Sequence, residues 1–172
     1  MDLVARAREG EERAREELVS RHLDSVYRVA LAIVRDESRA GDASQETFLK
    51  AFRSLDGFRG EAPFRSWLLA IAANEARTIL RSAGRRRESA LDDAPPVRSA
   101  NPGPDRRVEE AEEAEWVRSC LDRLPEKQRL AVELRVFDGM SFREVGRAIG
   151  SSEGAARVNY HHGIRKLREL LG

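Results

Sequence analysis

The chain has 172 residues, of which 41% are hydrophobic and 35% charged, and a formal net charge of only +1. That length suits one domain or two small ones. The near-neutral charge excludes a globally basic coat for nucleic acid, so any electrostatic footprint must be local. A single cysteine, Cys120, excludes an internal disulfide and any cysteine-rich zinc site.

MDLVARAREG at the start carries charges too early and too densely for a signal peptide. The longest clean apolar run, Trp67–Ala73, falls far short of the ~20 residues that span a bilayer. No membrane insertion is expected, and a cytoplasmic location follows if the source is bacterial.

Residues 2–34 read as a short helix, a break near Gly10 and a long helix whose inner face holds Leu23, Val26/Tyr27, Ala30 and Ile33/Val34. Asp36 to Ala43 reads as a turn or a helix start. From Gln45 to Leu55 the pattern is helical again, with Phe48, Ala51/Phe52 and Leu55 inside and Asp42, Gln45, Glu46, Lys50 and Arg53 outside. Two glycines and a proline punctuate Leu55–Pro63 as a loop. A further helix opens near Phe64 and runs through WLLAIAANEARTILR.

Arg77, Arg81, Arg85, Arg86 and Arg87 follow with no acidic residue between them. They read equally well as a solvated helix end, which cations favour, or as a patch that contacts phosphates. From about Glu88 to Asp105 the composition changes, and four of the six prolines lie there: Pro95, Pro96, Pro102 and Pro104. This marks a flexible to semi-extended linker and the clearest domain boundary.

Beyond it, acidic Glu109–Glu115 is expected to open a helix with core face Val117, Cys120, Leu121 and Leu124. Cys120 on that face reads as a small buried hydrophobe rather than a reactive thiol. Pro125 breaks the helix and can start the next, in which Leu130, Leu134 and Phe137 face inward and which Gly139 ends.

Ser141 and Glu144 then make an S-x-x-E capping box, followed by Phe142, Val145 and Ile149 at i, i+3 and i+7. Gly150 suits the left-handed residue that ends a helix, and Ser151 or Ser152 can cap the next. The following helix has a seam of Ala156, Tyr160, Gly163, Leu167 and Leu170 or Leu171. Its polar row is Glu153, Arg157, His161 and Arg165. The pattern reads either as an ordinary helical hairpin with a solvated face or as a helix-turn-helix, whose second helix enters the major groove. No stretch alternates with period two long enough to be a strand, so the fold class is all-α.

Enzyme chemistry finds no foothold. The phosphate-loop, dinucleotide, zincin and nucleophile-elbow motifs are all missing from the sequence. The three histidines are His22 and the pair His161-His162, and adjacent residues on a helix point about 100° apart, so the pair does not chelate. No catalytic residue, metal site or cofactor is expected.

With both halves read, the chain resembles the extracytoplasmic-function sigma factors, small two-domain initiation factors of bacterial RNA polymerase. DASQETFLKAFRSLDGFRG and FRSWLLAIAANEARTILR are similar to the family's region two. LPEKQRLAVELRVFDGMSFREVGRAIGSSEGAARVNYHHGIRKLREL is similar to its region four.

The resemblance implies a region-two helical bundle over 1–87, a linker over 88–107 and a region-four helix-turn-helix domain over 108–172. It implies that Asp42, Gln45, Glu46 and Lys50 dock on core RNA polymerase. Phe58, Arg59 and Asn74 would read the minus-ten element as single-stranded promoter DNA, with Arg77 and Arg81 on its phosphates and Trp67 in the core.

Arg157 would make a bidentate guanine contact in the minus-thirty-five duplex, with Ser152, Glu153, Asn159 and His161 as further base or phosphate contacts. Arg165 and Lys166 are as readily solvated as phosphate-bound. An anti-sigma partner is implied as well.

Three departures stand out. RAGDAS at 39–44 lacks the family's usual Asp-Ala-Glu-Asp and two apolar residues, Thr78 replaces a frequent Asp, and Gly163 replaces a common Ala. The rival from another class is a stand-alone helix-turn-helix repressor or activator, which has no reason to carry the Phe58–Asn74 block.

Overall fold

The computed structural model describes the backbone of residues 2–89 and 107–172, and the side chains of 2–85 and 112–172. The proline-rich stretch and the side chains of Arg86, Arg87 and Glu109 lie outside the described residues. The described residues are helical and contain no strand. They fall into two compact units, Met1–Pro95 and Pro96–Gly172.

In the first unit α1 spans Leu3–Arg8, α2 Glu12–Val34, α3 Glu37–Arg53 and α4 Phe64–Ser89, with a 3₁₀ turn at Leu55–Gly57. Asp2 caps α1 by accepting from the Val4 amide, and Gly10, at φ 89°, separates α1 from α2. Asp36 caps α3 through a 2.8 Å bond from the Arg39 amide. The 36–43 stretch is therefore a helix start rather than a turn.

Small residues on α3 (Ala40, Ala43, Ser44 and Thr47) are buried and let it approach its neighbours closely. The Ser44 and Thr47 hydroxyls donate to the carbonyls of Ala40 and Ala43 at 2.7 and 2.6 Å, so their burial leaves no orphan donor.

Helices α2, α3 and α4 pack against one another pairwise. Val26, Val29, Leu68 and Leu69 are fully buried there, each worth roughly 1.5–3 kcal/mol of burial. Leu23 departs from expectation at 44% exposed. It lines an open groove between α2 and α3 with Val19, Tyr27, Phe48, Leu49 and Phe52, and Val29 takes the inward place.

In the second unit α5 spans Arg107–Asp122, α6 Glu126–Val136, α7 Phe142–Ala148 and α8 Glu153–Leu171. Cys120 and Leu121 of α5 and Leu124 just after it form one core cluster with Val132 and Leu167, and Tyr160, Ile164 and Leu170 pack on it. Cys120 is buried, as its place on an apolar face predicts.

Two expectations fail. Val117 is 37% exposed: among the described side chains of α5, those in the core cluster are Cys120 and Leu121, in its last turn. Phe137 is 56% exposed: α6 ends at Val136, and Met140, 1% exposed, occupies the inward place instead.

Arg129 is an unexpected core member. Its guanidinium pairs with Glu133 one turn on, Nη1 donating at 3.1 and 3.3 Å, which compensates its burial. Gly163 sits where a Cβ would lie 2.7 Å from Val132 Cγ2 and 3.1 Å from the Gln128 carbonyl oxygen. Close packing of α8 on α6 thus accounts for glycine where the resembled family carries alanine.

Candidate nucleic-acid interface

Local chemistry fixes the turn between α7 and α8. The Ser141 amide donates to Glu144 Oε2 at 2.5 Å and the Glu144 amide donates to Ser141 Oγ at 3.3 Å, which completes the capping box. At the other end Gly150 is left-handed, at φ 63°, and donates to the Arg147 carbonyl, while the Ser151 amide donates to the Gly146 carbonyl at 2.7 Å. These two bonds are a Schellman motif, which satisfies carbonyls that the helix end would otherwise leave orphaned.

Of the two candidate serines, Ser152 is the cap of α8, accepting from the Ala155 amide at 3.1 Å. A Cβ on Gly146 would come within 2.9 Å of the Ser152 backbone, so the turn is closed tightly against α7. Short helix, tight turn and longer helix together make a helix-turn-helix.

On α8 the structure brings Glu153, Arg157 and His161 onto one exposed row. Arg157 Nη2 lies 3.3 Å from Glu153 Oε1, and its guanidinium carbon stands 5.0 Å from the centre of the Phe142 ring. His161 adjoins Tyr160 and Phe142, with centroids 5.3 and 6.3 Å apart. Asn159 is separated from the row: it lies about 200° around the helix from Arg157, half-buried, and its amide donates to the Ala155 carbonyl at 2.9 Å.

In the first unit, Phe58 belongs to an aromatic cluster with Phe64 and Trp67. Centroid separations are 5.7 Å for Phe58–Phe64, 5.1 Å for Phe58–Trp67 and 5.7 Å for Phe64–Trp67. Trp67 is half-buried and packs on the core. His22 caps this cluster 5.6 Å from Phe64; burial, then the charges of Arg65 and Arg21, hold its imidazole below the ordinary range.

Sequence reasoning missed Arg8 altogether. From α1 it donates to the Phe58 carbonyl at 2.7 Å and ties the amino-terminal helix to the loop. Nothing in the local pattern signals a bond across fifty residues. Arg59 beside it is exposed.

Along α4, Asn74 and Arg81 are exposed and Arg77 half-exposed, seven residues or about 10 Å from end to end. Thr78 links them: its hydroxyl donates to the Asn74 carbonyl at 2.9 Å and accepts from Arg81 Nη2 at 3.3 Å. An aromatic cluster beside a row of amide and guanidinium groups suits unstacked bases and their phosphates.

On α3, Asp42, Gln45 and Glu46 are exposed. Lys50 is not a lone surface cation, because its Nζ pairs with Glu75 Oε1 at 2.6 Å. Among the described residues, no group of three or more histidines, cysteines and carboxylates is placed to hold a metal ion, and no helix is long and apolar enough to cross a membrane.

Comparison with known families matches residues 18–86 to Sigma-70 region 2 and residues 114–167 to Sigma-70, region 4. The RNA polymerase sigma factor CarQ of Myxococcus xanthus is 37% identical over 174 residues, covering 98% of this chain and 95% of the relative. The ECF RNA polymerase sigma factor SigE of Mycolicibacterium smegmatis is 34% identical over 157 residues, 91% of this chain, though these span only 61% of the relative's length.

Among solved structures, CnrH in complex with the cytosolic domain of CnrY superposes with a TM-score of 0.71 at 30% identity, over 98% of this chain and 94% of that one. The sigma factor RpoE of Bartonella quintana, solved with the anti-sigma factor NepR, has the same fold, with a TM-score of 0.74 at 21% identity over 91% and 95% of the two chains.

Proposed function

The chain belongs to the extracytoplasmic-function sigma factors of the sigma-70 family, and from that membership we propose a division of labour between its two units. Residues 1–87 dock on core RNA polymerase through the α3 face of Asp42, Gln45 and Glu46, with Lys50 at its edge. The same domain captures the minus-ten element as single-stranded DNA. Phe58 and Arg59 of the loop receive unstacked bases, Asn74 reads a base edge, and Arg77 and Arg81 hold phosphates.

Residues 108–172 place α8 in the major groove of the minus-thirty-five duplex. Arg157 reads guanine, Glu153 and His161 flank it, and Ser152 contributes from the cap. Residues 88–107 join the two domains. Binding energy alone nucleates melting, so the factor is not an enzyme and needs neither cofactor nor ATP. It works in the cytoplasm, where its polymerase and promoter are. A regulatory partner of the anti-sigma kind is expected to cover these surfaces; CnrH, 30% identical, being solved with the cytosolic domain of CnrY, supports a protein partner.

The observation that carries this reading is the pairing of the Phe58 aromatic cluster with the exposed row Asn74–Arg81 on the α4 that begins beside it. A stand-alone repressor has no use for such a surface. The test is run-off transcription with purified core polymerase on genomic fragments, including the region upstream of this protein's own gene. Specific transcripts that vanish with Asn74→Ala support the reading, and silence on every fragment contradicts it.

A further inference from the structure

One aromatic side chain on the helix-turn-helix carries two cations. The guanidinium carbons of Arg135 and Arg157 each lie 5.0 Å from the centre of the Phe142 ring. The ring itself is held from several sides. Its helix begins at the Ser141–Glu144 capping box, and it packs edge-on against Tyr160 of α8 at 5.4 Å. Arg135 is tethered by a 2.8 Å bond from Nη1 to the Met140 carbonyl. Arg157 is exposed as well, and its other contact is the ion pair with Glu153 at 3.3 Å.

From this arrangement, and resting on the reading that Arg157 contacts a base in the minus-thirty-five duplex, we infer that Phe142 is a specificity-positioning residue. Its ring holds the Arg157 guanidinium in the bound conformation before DNA arrives. A bidentate contact needs a planar fork aimed at two acceptors on one base edge. A free arginine must surrender much rotamer freedom to meet that demand. Cation–π contact with Phe142 on one side and the Glu153 carboxylate on the other restrict the side chain beforehand, and pre-organisation of this kind raises affinity for the correct partner.

Phe142 is half-buried at the first position of α7, beside the base-reading face rather than on it, so it acts through Arg157. Its effect falls on the base that Arg157 reads and leaves other positions alone.

The experiment uses the full chain with core polymerase and measures initiation from one active promoter and from variants substituted singly across its minus-thirty-five element. Phe142→Leu keeps an apolar side chain and removes the ring; Phe142→Tyr keeps the ring. Phe142→Leu is expected to reduce discrimination about two- to five-fold, the scale of an exposed cation–π contact. The loss is confined to the position where Arg157→Ala also loses discrimination, and Phe142→Tyr restores it.

In the Arg157→Ala background, Phe142→Leu should change discrimination no further. A Phe142→Leu protein that discriminates like the wild type, or one whose loss is equal with and without Arg157, overturns the inference while leaving base reading by Arg157 intact. If Arg157→Ala changes discrimination nowhere, base reading by Arg157 fails, and the inference with it. Thermal unfolding of each variant separates loss of folding from loss of specificity.

Discussion

Lys50 on α3 and Glu75 on α4 form an ion pair, Nζ to Oε1 at 2.6 Å, that joins the face assigned to polymerase docking to the helix assigned to DNA. The lysine side chain is 61% exposed and the glutamate only 15%. Removing the lysine therefore leaves a mostly covered carboxylate without its cation. Lys50→Ala should destabilise the first unit by about 0.5–1 kcal/mol, the range of a partly exposed pair. A Lys50/Glu75 double-mutant cycle in denaturant unfolding should return a coupling of that size. Any weakening of polymerase binding by Lys50→Ala must be judged against this loss.

Gly163→Ala tests the contact between α6 and α8. Alanine gains helix propensity of about 1 kcal/mol over glycine. The new Cβ, however, would meet Val132 Cγ2 at 2.7 Å and the Gln128 carbonyl at 3.1 Å. Valine is stiff at χ1 and cannot swing away. A net destabilisation of about 1–2 kcal/mol is expected. The double variant with Val132→Ala should be more stable than the sum of the single losses implies, because the closest atom is gone. Thermal melts of the four proteins check this.

Asn74 and Arg81 are exposed on α4. Their substitution by alanine should leave unfolding within about 0.5 kcal/mol of wild type, as for surface changes generally. Activity at the minus-ten element should nevertheless be lost. Thr78→Val makes a sharper test, because it removes the hydroxyl that accepts from Arg81 while preserving shape. Transcription should fall less with Thr78→Val than with Arg81→Ala.

His22 makes the first unit sensitive to acid. Folding holds its imidazole below the ordinary value, through burial first and Arg65 and Arg21 next. The unfolded chain then binds a proton that the folded chain resists. Stability is complete above the ordinary histidine pKa of about 6.5 and is lost as pH falls from there toward the lowered folded value. His22→Gln should flatten this stretch of the curve. Denaturant midpoints of the two proteins between pH 7.5 and 5.5 provide the check, and parallel curves would refute the assignment.

The sequence made its helix ends plainer than its cores. Ser141, Glu144 and Gly150 act through bonds within six residues, so residue type and spacing alone announced the capping box and the left-handed stop. Periodicity likewise marked which face of each helix is apolar. It could not say whether anything covers that face, and so Leu23, Val117 and Phe137 are exposed where they looked internal.

Arg129 shows the converse, a cation drawn into the core by a carboxylate one turn away. The polar row on α8 followed from the same periodicity, whereas Asn74, Arg77 and Arg81 on α4 were implied as DNA contacts by the resemblance to region two. What escaped was every contact made across the fold: Arg8 on the Phe58 carbonyl, Lys50 on Glu75, and Phe142 beneath Arg157. Each depends on how separate elements come to pack, which the periodicity within one helix does not encode.

The most direct measurement is permanganate footprinting of unpaired thymines at an active promoter, run with the protein alone, core polymerase alone and the two together. Reactive minus-ten thymines are expected only in the combined reaction, and they should disappear with Asn74→Ala. Tight duplex binding by the protein alone, with no strand opening when polymerase is added, would contradict this expectation and favour a repressor.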